Sequence, residues 1–340
     1  MMPDLPIHQY IERASGAVKT EQLLADRLIH VLYHQGREYM PALFKALTSA
    51  RTSRLLGWLN YDRPPGSRRA AAERLARTLG VDLSECCDPQ RVLTSPRQLF
   101  ERQIRYWDRR PMPAAPDVVT APADARLLVT SLAESSLFFI KEKFFDLEEL
   151  LGPDKPEWRM LFAGGDAAIL RLTPDKYHYN HAPVSGRVAD IYLIDGDFHS
   201  CNPGAVVRQV TPYSKNRRVV TIIDTEVPGG SRVGPVAMIE IVALMIGDIV
   251  QCYSVRQYEA PQPVTVGMFI ERGQPKSLYR PGSSVDVLLF APGRIDFCPD
   301  LRANTLHAGA HSRFSRHFGR PIVETDVAVR SPIAARKESL

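Results

Sequence analysis

The hydrophobic period of this chain changes at the proline-rich stretch "PMPAAP", Pro111 to Pro116, and that change limits the fold more than any other feature. From Glu21 to about Arg110 apolar residues recur at helical spacing: Leu24, Leu28, Val31 and Leu32, then Leu43 and Leu47, then Leu55, Leu56 and Leu59. "RPPGSRR" (Arg63 to Arg69) interrupts the run, and "AAAERLARTLG" resumes it with Gly80 placed as a C-cap. Beyond the prolines the period is that of strands: "RLLVTSL", "AAILRLT", "VADIYLID", "RVVTIIDT", "VAMIEIVALMI", "DIVQCYSV" and "VDVLLF", with Gly and Pro between them and one helical insertion, "DLEELLG". The expectation is an α+β protein: a helical, basic amphipathic region over 1–110, a linker over 111–116, and a β-rich domain of sandwich or barrel-like form over 117–340. The tail from Pro299 to Leu340 reads as mainly surface structure.

Composition narrows the class. A hydrophobic fraction of 44% with 24% charged residues in 340 residues is that of a globular protein. Five cysteines, Cys86-Cys87 and the isolated Cys201, Cys252 and Cys298, offer neither a CxxC clip nor an even disulfide framework, which suits a reducing cytosol. The start, "MMPDLPIHQYIERASG", carries Asp4 and Glu12 and has no basic segment followed by an apolar run, so no secretory signal is expected. The most apolar segment, Val233 to Val250, is broken by Glu240 and Asp248 and reads as buried strands rather than a membrane span. Residues 1–120 hold 18 Lys and Arg against 13 Asp and Glu, which accounts for the whole net charge of +5. Basic amphipathic helices suit an anionic membrane surface, with Trp58, Phe100 and Trp107 as interface anchors, although the same apolar faces could pack on the rest of the protein.

Three spots in the β-rich part could carry chemistry. Asp124 sits among small residues ahead of a strand, a usual place for a turn or cap residue. His178 and His181 lie three apart in "LTPDKYHYNHAPVSGRV"; a metal could use both, but no third ligand stands at a suitable spacing. In "SLYRPGSSVDVLLFAPG" the corner Gly282-Ser283-Ser284 directly precedes a strand that reads as fully buried, and its serines could do no more than cap the turn. A carboxylate, an imidazole and a serine hydroxyl form the set that activates a serine, yet their order along a chain does not select a reaction. No glycine-rich phosphate loop, internal repeat or low-complexity tract is evident.

The ordered set "PADA", "FAGGDAAILRLTPDKYHYNHAPVSGRV", "NRRVVTIIDT", "VAMIEIVALMIGDIV" and "GMFIERGQPKSLYRPGSSVDVLLF" resembles the phosphatidylserine decarboxylase family of pyruvoyl enzymes, and the likeness runs back through "TLGVDLSE" and "SPRQLFERQIRYWDRRPMP". The resemblance implies that the chain cuts itself between Gly282 and Ser283. Ser283 Oγ would attack the Gly282 carbonyl to give an ester, and loss of the Ser283 α-proton would expel the Gly282 carboxylate. The dehydroalanine left behind tautomerises to an imine and is hydrolysed by water, with loss of ammonia, to a pyruvoyl group on a short chain, 283–340, that stays with 1–282. His181 would be the base for Ser283 with Asp124 behind it, and His178 would serve the later step, in which the ketone forms a Schiff base with the substrate amine and carbon dioxide leaves. Neither pyridoxal phosphate nor a metal would be required.

Several positions depart from the family pattern: Ala125 follows Asp124 where the family has glycine, Tyr179 replaces a basic residue, Arg217 an acidic one, and Asp248 a small or hydroxyl one. These leave open a free aromatic amino acid such as tryptophan as substrate in place of phosphatidylserine, and a non-processing scaffold is the reading from another class. The favoured expectation is a cytoplasmic enzyme, peripheral on the inner face of the cell membrane, acting on a phospholipid at the membrane surface to give phosphatidylethanolamine. A homodimer is compatible with this, and no nucleic acid partner is implied.

Overall fold

A computed structural model describes residues 5–33, 49–64, 66–133, 144–209, 211–244, 248–280 and 284–338. Among these residues there are sixteen strands, the longer ones built from alternating or continuous apolar runs: β1 (Gln9–Glu12), β2 (Val18–Thr20), β3 (Val118–Thr120), β4 (Ala125–Ser131), β5 (Asp166–Leu172), β6 (Tyr179–His181), β7 (Gly186–Ile194), β8 (Arg218–Asp224), β9 (Val236–Ile241), β10 (Asp248–Gln251), β11 (Phe269–Ile270), β12 (Pro275–Arg280), β13 (Ser284–Phe290), β14 (Ile295–Phe297), β15 (Glu324–Val327) and β16 (Pro332–Arg336). A ten-stranded sheet runs β11-β7-β8-β9-β13-β5-β4-β15-β1-β2 and does not close on itself, so the α+β class holds without a barrel. Two three-stranded sheets accompany it, β10-β12-β6 and β14-β16-β3. Every residue of β13 is buried, as expected of a strand hydrogen-bonded on one side to β5 and on the other to β9.

The 1–110 region is not helical throughout. β1 pairs in parallel with β15 and antiparallel with β2, so the chain begins by extending the large sheet. Strands of four and three residues leave almost no local periodic signal, and the inner partner of β1 lies over 300 residues away. Ion pairs secure them: Arg171 holds both Glu21 and Glu324, and His8 Nε2 lies 2.8 Å from Glu324. His8, Glu21 and Glu324 are close enough to suggest a metal site, but the Arg171 guanidinium already neutralises both carboxylates. Helices form where the spacing places them at Arg68–Leu79, capped by the Ser67 hydroxyl and ended by Gly80 at φ 64°, and at Leu147–Leu151, capped by Asp146; the piece ahead of the prolines forms two short helices, Pro96–Phe100 and Tyr106–Arg109, and the expected turns around Leu43 and Leu47 lie outside the described residues. The tail from Pro299 is likewise not mainly surface: β15 lies inside the large sheet, and Ile322, Val327 and Ile333 join the principal core.

The proline stretch packs against the β-rich part. Arg272 donates to the Pro113 carbonyl at 2.8 Å, and Tyr106, just ahead of the prolines, is buried beside His181. Phe100, expected at a membrane interface, is also buried, its ring 5.3 Å from that of His178 and 5.0 Å from that of Tyr61. Among the described residues no helix is long and apolar enough to cross a membrane.

Candidate active site

β6 is three residues long, and strand alternation separates what the sequence places together. Tyr177, Tyr179 and His181 share one face: the two tyrosine rings stack at 5.5 Å, the Tyr177 hydroxyl lies 3.0 Å from His181 Nε2 and 2.7 Å from the Tyr258 hydroxyl, and the Tyr106 ring meets the imidazole edge-on at 4.7 Å. Asn180 faces the other way, toward Ser277 and Glu240. His178 precedes the strand, and its carbonyl accepts the Tyr279 N–H at 3.2 Å.

The His181 imidazole is fixed by a carbonyl. Nδ1 lies 2.8 Å from Gly273 O, an atom that can only accept, so Nδ1 carries the proton and Nε2 keeps its lone pair. Glycine is needed at 273, because φ is +76° and a Cβ would meet Met112 Sδ at 2.4 Å. Burial pushes the His181 pKa down to about 3, against which the Gly273 bond acts weakly. Asp124 does not perform the expected orienting role by direct contact. Arg110 takes its two oxygens at 3.0 and 2.8 Å, and the Val329 N–H donates to it at 2.8 Å. Burial raises the Asp124 pKa, but Arg110 outweighs it and holds the carboxyl below its ordinary range. Asp124 and His181 nonetheless lie along one wall, since the His181 N–H donates to the Pro122 carbonyl at 2.7 Å. Ala125 opens β4 without a positive φ, so its departure from glycine costs the backbone nothing.

His178 is fully buried, and neither of its ring nitrogens has a hydrogen-bond partner among the described residues. Burial first, and then the nearby Arg102 charge, lower its pKa to about 3 against an opposing interaction with the Pro174 backbone, so at neutral pH this is an uncharged imidazole.

Pro281, Gly282 and Ser283, the expected cleavage corner, lie outside the described residues. Its flanks are well defined. β12 belongs to the small sheet and β13 to the large one, so the corner carries the chain from one sheet to the other. The β6–β12 register pairs Tyr179 with Leu278, Asn180 with Ser277 and His181 with Pro275. His178 therefore stands at the end of this strand pair that leads into the corner, and His181 at the other end. On the far flank Ser284 Oγ is buried without a hydrogen-bond partner among the described residues.

Between the two sheets lies a polar layer that sequence reasoning did not find. Glu240 accepts from Lys276 Nζ at 2.7 Å, Gln251 Nε2 at 2.8 Å, Asn180 Nδ2 at 3.2 Å and the Ser277 hydroxyl. The Tyr279 hydroxyl, four residues before Ser283, lies 2.7 Å from Asp286 Oδ1, three residues after it. Burial and the Glu240 charge push the Asp286 pKa far up, and the Tyr279 hydrogen bond and the Lys276 charge act against them. The available signal was a charged residue inside an apolar strand, Glu240 in "VAMIEI" and Asp286 in "SVDVLLF". Arg110 and the tyrosines around His181 had no such marker.

These neutral imidazoles, a fixed tautomer and a strand-to-strand corner carrying serine can move protons to and from a hydroxyl and a carbon acid. Residues 97–320 match the phosphatidylserine decarboxylase family. A phosphatidylserine decarboxylase proenzyme from Chlamydia trachomatis is 31% identical over 295 residues, covering 86% of this chain and 90% of the relative. Proteins of the same name from Fusobacterium nucleatum and Bordetella petrii are 27% and 29% identical over 87% and 72% of this chain, and 92% and 85% of their own lengths. With Asp124, both histidines and the Gly282-Ser283 corner all inside the matched span, this chain belongs to the phosphatidylserine decarboxylase family.

Proposed function

We propose that this protein decarboxylates phosphatidylserine to phosphatidylethanolamine after cutting itself between Gly282 and Ser283, with Ser283 converted to the pyruvoyl group. The observation that carries the reading is the family match over nearly the whole β-rich part, supported by the placement of a buried imidazole with unengaged nitrogens beside the strand that enters the corner. The residues present fit such a group: His178 and Ser284 Oγ are buried polar sites around the corner with bonds still to make.

In self-processing, Ser283 Oγ attacks the Gly282 carbonyl and its proton passes to His181. That imidazole suits the task because burial keeps it neutral and Gly273 leaves the lone pair on Nε2, with Tyr177 and Tyr258 hydroxyls as a path onward. Asp124 acts at a distance, as a fixed negative charge held by Arg110. In turnover the pyruvoyl ketone supplies the electron sink that lets carbon dioxide leave. His178 returns a proton to the carbon that loses the carboxylate. Purified protein supplied with phosphatidylserine vesicles should release carbon dioxide, and mass spectrometry should find a 283–340 fragment with a pyruvoyl amino end. Ser283→Ala should give a full-length, inactive chain. Decarboxylation by an unbroken chain with an intact serine would overturn the proposal.

The lipid must reach this site, and the segment Ala50–Asp62 supports access from a bilayer. Leu55, Trp58 and Leu59 are exposed on it, while Tyr61 packs on Phe100 and Phe100 on His178. The outward side chains suit an acyl boundary, and the inward ones connect the same element to the site. Leu55→Ser with Trp58→Ser should weaken sedimentation with anionic vesicles by about tenfold, since two large apolar side chains lose their burial in lipid. Unchanged sedimentation would place the membrane contact elsewhere.

A further inference from the structure

Arg102 is 7% exposed, and its guanidinium donates to two main-chain carbonyls, Leu99 O at 3.0 Å and Asp175 O at 2.7 Å. The neighbouring carboxylates are committed elsewhere: Glu101 to Arg97 and Arg280 at 3.2 and 3.3 Å, Glu85 and Asp124 to Arg110. Two of five guanidinium N–H groups are therefore used, and a cation is buried with carbonyl partners alone among the described residues, a costly arrangement unless an anion completes it. The side chain lines a cavity of about 120 Å³ with Arg91, Arg280, Tyr179 and Leu278; two carboxylates line it as well, Glu101, paired with Arg97 and Arg280, and Asp88, which accepts the Arg91 main-chain N–H. Arg91 donates to Gln98 and adds a second charge free of a carboxylate partner among the described residues. Tyr179 and Leu278 are the register pair at the end of the β6–β12 pair that leads to the corner, and Arg280 stands three residues before Ser283.

We propose that Arg102, with Arg91 and Arg280, seats the phosphodiester of the substrate headgroup beside the catalytic corner. The inference rests on the phosphatidylserine reading and adds the residues that would recognise the headgroup. Of the two anionic groups in phosphoserine, the phosphate fits better. A buried guanidinium on the carboxylate would stabilise a charge that must leave it as the carbon–carbon bond breaks, which raises the barrier. On the phosphate it holds a charge that does not change during the reaction, so it contributes to binding and orientation without opposing the chemistry.

Two measurements test this. In the uncut Ser283→Ala chain, glycerophosphoserine titrated by calorimetry should bind, inorganic phosphate should compete and serine should not. Arg102→Gln in that background should weaken glycerophosphoserine by about tenfold or more, with part regained in Arg102→Lys, because one charge-assisted bond set is lost. Equal affinity with and without Arg102, or competition by serine rather than phosphate, would overturn the seat. In the processed enzyme, short-chain phosphatidylserine should show a raised KM in Arg102→Gln with kcat reduced much less; a kcat loss at constant KM would also overturn it. Should Arg102→Gln melt below the assay temperature, Arg280→Gln, whose side chain is half exposed, should shift KM in the same direction by a smaller factor. If the parent binds glycerophosphoserine through Arg102 yet releases no carbon dioxide from phosphatidylserine, the reaction assignment fails and the seat stands.

Discussion

His178 and His181 are both buried with pKa values near 3, for different structural ends: one ring is tied between a carbonyl and a phenol, and the other is left with both nitrogens open. The unfolded value is 6.5, so between pH 6.5 and about 3 the unfolded chain binds protons that the folded chain refuses. The resulting stability is complete above pH 6.5 and is lost as pH falls toward 3, by up to about 1.4 kcal/mol per pH unit for each histidine. Melting temperature should therefore decline from pH 6.5 to 5, a window above the titration of most carboxylates, and His178→Gln should make that decline shallower. An unchanged slope would mean the ring takes up its proton in the folded state. The roles separate as well: His181→Ala should leave the chain uncut, whereas His178→Ala should be cut and decarboxylate poorly. Uncut His178→Ala would reassign the base to the histidine nearer the corner.

At the scale of elements, β12 and β9 face each other across the polar layer, and the fully buried Lys276–Glu240 pair is their electrostatic contact. The β6–β12 register skips Lys276, an irregularity that accompanies the turn of its ammonium into the layer. Burial raises the Glu240 pKa and the Lys276 charge lowers it more, so the carboxylate stays ionised. Lys276→Met should destabilise by about 3–5 kcal/mol, since it leaves a buried charge alone, and adding Glu240→Gln should recover a large part. Melting curves of both variants check this, and a double variant less stable than the single would show that the pair is not a closed unit. The same elements show how much was legible in sequence. Of the seven segments read as strands, six form strands of six or more residues (β4, β5, β7, β8, β9 and β13) and the seventh forms the four-residue β10; with the helices at 68–79 and 147–151 they carry their period locally and were readable, whereas the six-residue β12 was not. β1 and β6, of four and three residues, take their form from distant partners and were not, nor was β2, three exposed residues on the sheet edge. Asp124, His178 and His181 stood out by residue type, but the Arg110 partner, the Gly273 carbonyl and the division of the histidines between two faces depend on register, which periodicity does not encode.

For the whole molecule, cutting at 282 would remove one peptide bond and almost none of the cohesion. The 283–340 piece contributes β13 between β5 and β9, β15 between β4 and β1, and β16 beside β3, so three of its strands are laced into sheets built from the other piece. Ion pairs cross the same divide: Arg171–Glu324, Arg126–Asp326, Lys176–Asp326, Arg13–Asp300 and Arg313–Asp26. Most involve β15 or the chain around it, which sits against the amino-terminal strands, so residues 5–33 act as a strap over the small piece. Core residues Val287, Leu288, Leu289 and Phe290 are fully buried, and withdrawing them would expose apolar area worth several kcal/mol. The cleaved protein should therefore elute from gel filtration as one species and part into two chains only in denaturant. Glu324→Gln, which weakens Arg171 and His8 contacts together, should lower the denaturant concentration for separation without changing the cut. If the 283–340 chain dissociated in plain buffer, the sheet order that places β13 at the centre would be wrong, because a strand bonded on both edges cannot leave without dismantling its neighbours.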